Sequence, residues 1–158
     1  VSDYSVLHAT IVVERTYPAS PKRVFAAWSN KEALLSWALP GDDWVSGYEC
    51  FDFRVGGNDR SYFGPPGGET YLNDTTYLDI VPDARIVSAG AMTSAGKRFS
   101  AGLMTVEFQP AGNGGCRLVM TEQSAFLDGH DLPENHEAGW NEMLEKLGNH
   151  LGRQQAAA

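Results

Sequence analysis

Cysteine is scarce in this chain of 158 residues: Cys50 and Cys116 are the only two, and they lie far apart. That excludes a zinc ribbon, a Cys-x-x-Cys redox pair and a scaffold stapled by disulfides. Two buried thiols in a reducing compartment are the expected state. Positive charge is also short, with 12 Lys and Arg against 20 Asp and Glu, a net charge of −8. Nucleic acids and anionic membrane surfaces are both held through basic side chains, so neither partner is expected. No apolar run approaches the ~20 residues that span a bilayer, and the opening VSDYSVLHA has no basic-then-apolar signal pattern. The reading is a cytoplasmic protein with no membrane insertion.

Motifs for covalent or cofactor chemistry are missing too. There is no Gly-x-Ser-x-Gly elbow, and the glycine pairs at 56–57, 67–68 and 114–115 do not open helices, so they are hairpin turns rather than phosphate cradles. His130 and His136 stand near Asp128 and Asp131 at spacings that fit no metal-ligand pattern. No metal and no cofactor is expected.

What is present is a clear order of elements. Residues 7–17 are rich in β-branched side chains and read as a strand. In SPKRVFAAWS, Ser20 is placed to cap a helix, Pro21 to open it, and Val24, Phe25 and Trp28 to share its apolar face. A second short helix follows from Asn30, carries Leu34, Leu35 and Trp37, and stops at Pro40-Gly41. From Trp44 to Phe126 the breaks RVGGNDR, GPPGGE, VPDAR, TSAGK and PAGNGG mark short reversals, which implies an antiparallel meander. Pro133 then opens a long helix with His136, Trp140, Met143, Leu144, Leu147 and Leu151 on one stripe. Glu134, Asn141, Glu142, Glu145 and Asn149 form its solvated face. Residues 1–152 make one domain, and 153–158 read as a frayed, disordered tail.

One helix covers about half of one face of such a sheet, so the sheet must curl around it and leave space between them. The order resembles the START-like (SRPBCC) helix-grip superfamily, which includes birch-pollen-allergen-like proteins and polyketide cyclases. SPKRVFAAWSNKEALLSWALP, DFRVGGNDRSYFGPPGGE, YLDIVPDARIV, TVEFQPAGNGGCRLVMTEQSAF and GWNEMLEKLGNHL carry that resemblance. Within the superfamily the chain is similar to the AHSA-type group, homologues of the activator of the heat-shock-protein-ninety ATPase. It departs from that group's usual pattern in reading SWALP where WWGP is common, and Asn58-Asp59 before Arg60 where a basic residue is common. The resemblance implies an α+β helix-grip fold: a curved antiparallel sheet of about seven strands around the C-terminal helix, with two short helices between strands 1 and 2.

The expected function is binding of a small, largely apolar ligand, lipid-like or aromatic, between sheet and helix. A cyclase or hydratase using the same cavity and a chaperone-associated interaction domain are the alternatives, and a homodimer is left open. Alternation on 45–55 puts Phe51, Phe53 and Val55 on one face and Tyr48, Cys50 and Asp52 on the other. Met104, Val106 and Phe108 share a face, as do Leu118, Met120 and Glu122. Turned toward the helix, these faces meet His136, Trp140 and Leu144. The ligand-contact candidates are therefore Phe51, Phe53, Met104, Met120, Trp140 and Leu144, with Trp37 at the entrance. Glu122 and His136 complete the set as a paired carboxylate and imidazole, the acid-base candidates if the protein is an enzyme. Trp28 and Trp37 are expected to anchor packing, and Asp52 and Arg54 to pair with a neighbouring strand. Gly139 and Gly148 border the helix stripe, where each is expected to admit a close neighbour that a side chain would exclude.

Overall fold

The computed structural model describes residues 4–157, so the first three residues of the expected domain and the last of the expected tail lie outside the described residues. β1 (Val6–Tyr17) leads into α1 (Pro21–Ser29) and α2 (Lys31–Trp37). Five hairpins then join β2 (Val45–Phe51), β3 (Asn58–Gly64), β4 (Tyr71–Val81), β5 (Arg85–Ser94), β6 (Lys97–Ala111) and β7 (Gly115–Leu127). α3 (Pro133–Ala157) closes the chain. The seven strands form one antiparallel sheet in the order β1-β7-β6-β5-β4-β3-β2, the α+β helix-grip pattern.

Local chemistry places the short helices as the sequence implies. Ser20 Oγ accepts the Arg23 N–H at 3.2 Å and Asn30 Oδ1 accepts that of Ala33 at 2.9 Å, so each short helix has its own capped start. The five glycine- and proline-rich breaks are the five hairpin turns. In the β5–β6 turn both Ala95 (φ 50°) and Gly96 (φ 76°) are left-handed, the combination that matches the twist of a two-residue hairpin.

The packed core lies at one end of the sheet. Leu144, Leu147 and Leu151 of α3, which packs on β1, α1 and α2, are buried in one cluster with Val13, Val24, Phe108 and Leu118. Three polar ties fix the helix there: Tyr17 Oη donates to the Leu144 carbonyl at 2.6 Å, Arg23 to that of Leu151 at 2.8 Å, and Arg15 to Asn141 Oδ1 at 2.6 Å. Asn141 is therefore half-buried, not on the solvated face expected for it. α3 also continues through Arg153 to Ala157, where a frayed tail was expected. Once a long helix is nucleated, Gln and Ala extend it at little cost.

Four other expectations change. Cys116 is buried but Cys50 is exposed, because it falls on the outer side of edge strand β2. Strict alternation fails on 45–55: the register shifts between Tyr48 and Cys50, leaving Glu49 as an extra residue. The shift turns both Tyr48 and Phe51 inward, with rings 5.3 Å apart, and the strand ends there, so Val55 is exposed in the following loop. In that loop Arg54 Nε pairs with Asp52 itself at 2.7 Å rather than with another strand. The two helix glycines also differ. A Cβ on Gly148 would come 3.3 Å from the Tyr17 ring, whereas one on Gly139 would find only Pro40 at an ordinary 3.8 Å.

Candidate functional site

The N-terminal half of α3 meets the sheet only along its β1–β7 edge, and a cavity of about 820 Å³ lies between the helix and the remaining strands. Its origin is a row of small residues at directly paired positions: Ser124 opposite Gly102, Gly102 opposite Gly90, and Gly90 opposite Thr75. The backbones crowd too closely there for anything larger. A Cβ on Gly102 would sit 2.1 Å from Ser124 Oγ and 2.6 Å from the Gln123 carbonyl, and one on Gly90 would sit 2.7 Å from the Asp74 carbonyl. Where four adjacent strands send up almost no side chain, one helix cannot fill the gap.

Indoles form the wall beside α1 and α2. Trp28 and Trp140 stack at 5.9 Å with planes 15° apart, and Trp37 meets Trp28 edge-on at 4.8 Å. Trp37 Nε1 donates to the Ala27 carbonyl at 3.0 Å, which locks that ring to α1. Trp37 thus both anchors the short helices, as expected, and borders the cavity.

At the mouth stands a charged network. Glu122 Oε1 lies 2.8 Å from His136 Nδ1 and accepts from Ser124 Oγ at 2.9 Å, while Glu122 Oε2 accepts from Trp140 Nε1 at 3.0 Å. The second imidazole nitrogen, Nε2, lies 2.8 Å from Asp131 Oδ2. Phe126 covers the imidazole edge-on at 4.8 Å. Burial opposes charge on all three groups but loses to their mutual contacts. The His136 pKa is raised to about 9, and both Glu122 and Asp131 are held below the usual carboxylate range. At neutral pH the arrangement is carboxylate, imidazolium, carboxylate.

A second polar cluster faces the cavity from β3 and β4. Tyr77 Oη donates to Asp59 Oδ2 at 2.8 Å, with Tyr48 beside them on the cavity wall. Burial outweighs that hydrogen bond, Asp74 adds repulsion, and the Asp59 pKa rises to about 6. Burial likewise raises the Tyr48 and Tyr77 phenols, so both stay protonated donors.

Five of the nine residues expected at the ligand site border the cavity: Trp37, Met104, Glu122, His136 and Trp140. The expected Glu122–His136 pair is formed. Phe51, Phe53, Met120 and Leu144 belong instead to the packed layer alongside: Leu144 and Met120 are fully buried, and Phe53 wedges between Phe25 and Tyr77. Sequence reasoning missed Tyr48, Asp59, Ser61, Asn73, Thr75 and Tyr77, all of which line the cavity. The alternation in YLNDTTYL held the signal, with Tyr71, Asn73, Thr75 and Tyr77 on one face. That face is nearly as polar as its reverse, so hydropathy could not choose between them.

A family model described as Activator of Hsp90 ATPase homolog 1-like protein matches residues 18–152. Among solved structures, protein Mll3558 of Rhizobium loti is 44% identical, covers 92% of this chain and 99% of its own, and superposes with a TM-score of 0.83. An uncharacterized protein of Rhizobium leguminosarum is 39% identical over 96% and 99% of the two chains, with a TM-score of 0.86. Protein CV1439 of Chromobacterium violaceum is 29% identical over 90% and 96%, with a TM-score of 0.79. No curated protein sequence matches the chain. No helix among the described residues is long and apolar enough to cross a membrane.

Proposed function

The chain belongs to the Activator of Hsp90 ATPase homolog 1-like family, and from that premise we propose that it is a small-molecule-binding protein whose ligand occupies the cavity between α3 and the sheet. The observation that carries this reading is the coupling of an 820 Å³ space to a wall of three indoles. Pockets of ~300–1,000 Å³ lined by aromatics suit drug-sized molecules, and flat rings gain most against Trp28 and Trp140. The ligand is a small, largely apolar molecule with aromatic character. Trp37, Met104 and Trp140 supply apolar contact, and Glu122 and His136 stand at the mouth.

Binding is preferred to catalysis because of the protonation states. A general acid or base works best with a pKa near the operating pH and a free proton or lone pair aimed at the substrate. His136 has both nitrogens engaged and a pKa pushed to about 9, while Glu122 is held ionised by three donors. That pair is built to hold the mouth of the cavity in shape.

Native mass spectrometry of freshly purified protein tests the proposal, together with isothermal titration of a neutral stilbene. A co-purifying mass that leaves on denaturation, or saturable binding of one stilbene per chain, is expected. Met104→Trp, which drives an indole into the space, should abolish the stilbene signal. Absence of both forms of binding in the native protein would remove the reading.

A further inference from the structure

The wall beneath β3, β4 and β5 takes no part in the Glu122–His136 network. Among the described residues, the Asp59 carboxylate accepts one hydrogen bond, from Tyr77, and has no cationic partner. An ionised carboxylate has room for about four donors, so most of its capacity is unused. Around it, the hydroxyls of Tyr48, Ser61 and Ser88 line the cavity and bond to no other described residue, yet none of these oxygens is sealed from solvent. Burial pushes the Asp59 carboxyl up to about 6 despite the Tyr77 bond, as expected of a carboxylate short of partners, but leaves it mostly ionised at pH 7.5. The cations that border the cavity do not relieve it: His136 is held by Glu122 and Asp131, and Lys97 is exposed at the start of β6.

We propose that Asp59 is the acceptor of a second subsite, which takes the hydroxyl of a neutral aromatic ligand and rejects carboxylates and other anions of the same shape. The proposal rests on the reading that the cavity holds a small, largely apolar molecule, and it names that molecule's polar end. The paired row Glu122, Met104, Ser88, Tyr77 sets the span. From Glu122 to Asp59, which lies one strand beyond Tyr77, four strand spacings amount to about 19 Å along the sheet, less across its curl. A flat molecule of two or three rings, stacked by Trp28 and Trp140, therefore brings a terminal hydroxyl to Asp59. A carboxylate in that position would face the Asp59 charge with no cation between them, and both would be partly desolvated.

Isothermal titration of the full chain at pH 7.5 with 4-hydroxystilbene and stilbene-4-carboxylate decides it. The native protein should bind the phenol on the order of tenfold more tightly than the carboxylate, or better. Asp59→Asn should erase most of that preference, chiefly by admitting the carboxylate. Tyr77→Phe removes the hydrogen bond that lowers the Asp59 pKa, so it is titrated at pH 8.5, where the carboxylate stays ionised, and should keep the preference. Equal affinities in the native protein overturn the subsite whether or not a variant folds, as does an unchanged preference in Asp59→Asn or a lost one in Tyr77→Phe. In those cases binding itself persists and the cavity reading stands. No binding of either compound by the native protein overturns both.

Discussion

His136 Nδ1 and Glu122 Oε1 are 2.8 Å apart, which ties the first turn of α3 to the middle of β7 across the mouth of the cavity. Their linkage makes stability depend on pH with a definite sign. The His136 pKa is raised from 6.5 to about 9 on folding, so its contribution is complete below pH 6.5 and disappears as pH rises through 9. Glu122 and Asp131 are lowered, so theirs is present above the ordinary carboxylate range and lost in acid. Asp59 acts the other way: with its pKa raised to about 6, its effect favours folding below pH 3.8 and fades as pH rises to 6. Urea midpoints measured from pH 6 to 10 should fall by the equivalent of roughly 2–3 kcal/mol. His136→Gln should flatten that fall.

Glu122→Gln isolates the carboxylate. The amide still accepts from Trp140 but no longer supplies a charge for the imidazolium. The His136 ring resonances, followed by NMR, should titrate with a pKa well below the native one. Stability at pH 6 should drop by about 2 kcal/mol, in keeping with breaking a buried charged pair that retains one partner, Asp131. An unmoved titration would assign the raised pKa to Asp131 alone.

The two helix glycines should respond in opposite directions. Gly139→Ala adds a methyl at an ordinary 3.8 Å from Pro40 and should gain about 0.5–1 kcal/mol from helix propensity. Gly148→Ala pushes against a Tyr17 ring whose hydroxyl is bonded to the Leu144 carbonyl, so the ring has little freedom to withdraw. Thermal melts should show no gain for that variant, or a loss. Equal gains would show that Tyr17 yields easily.

Gly102→Ala is expected to be a damaging change despite its size. The new methyl would meet both Ser124 Oγ and the Gln123 backbone carbonyl, and the carbonyl cannot rotate away. A loss of about 2–3 kcal/mol should appear in chemical denaturation. Gly102→Ala with Ser124→Gly relieves only the side-chain part, so recovery should be partial.

The fold was legible because its signals are local and mutually consistent. Ser20 and Asn30 cap where they should, five breaks became five turns, and the α3 stripe at Leu144, Leu147 and Leu151 is buried. The Glu122–His136 pair was legible because each is an ionisable residue on an otherwise apolar face. What escaped was non-local or symmetric. The bulge at Glu49 put Tyr48 on the same face as Phe51 and could not be counted from alternation. Asp59 and Tyr77 sit on strands polar on both sides, where only the register of the finished sheet says which face turns inward. Gly90 and Gly102 are unremarkable in the sequence, and only strand pairing brings them opposite each other.

Trp28 and Trp140, nearly parallel at 5.9 Å, with Trp37 edge-on to Trp28, are close enough for their electronic transitions to couple. The Trp140 N–H is bonded to a carboxylate, which makes its emission sensitive to the polarity at the mouth. Trp44, the remaining indole, stacks instead on Phe63 and Tyr71 at about 6 Å and also borders the cavity. Every tryptophan in the chain therefore touches the same space. Near-ultraviolet circular dichroism and intrinsic emission should both change when that space fills, so the protein carries its own unlabelled optical gauge of occupancy.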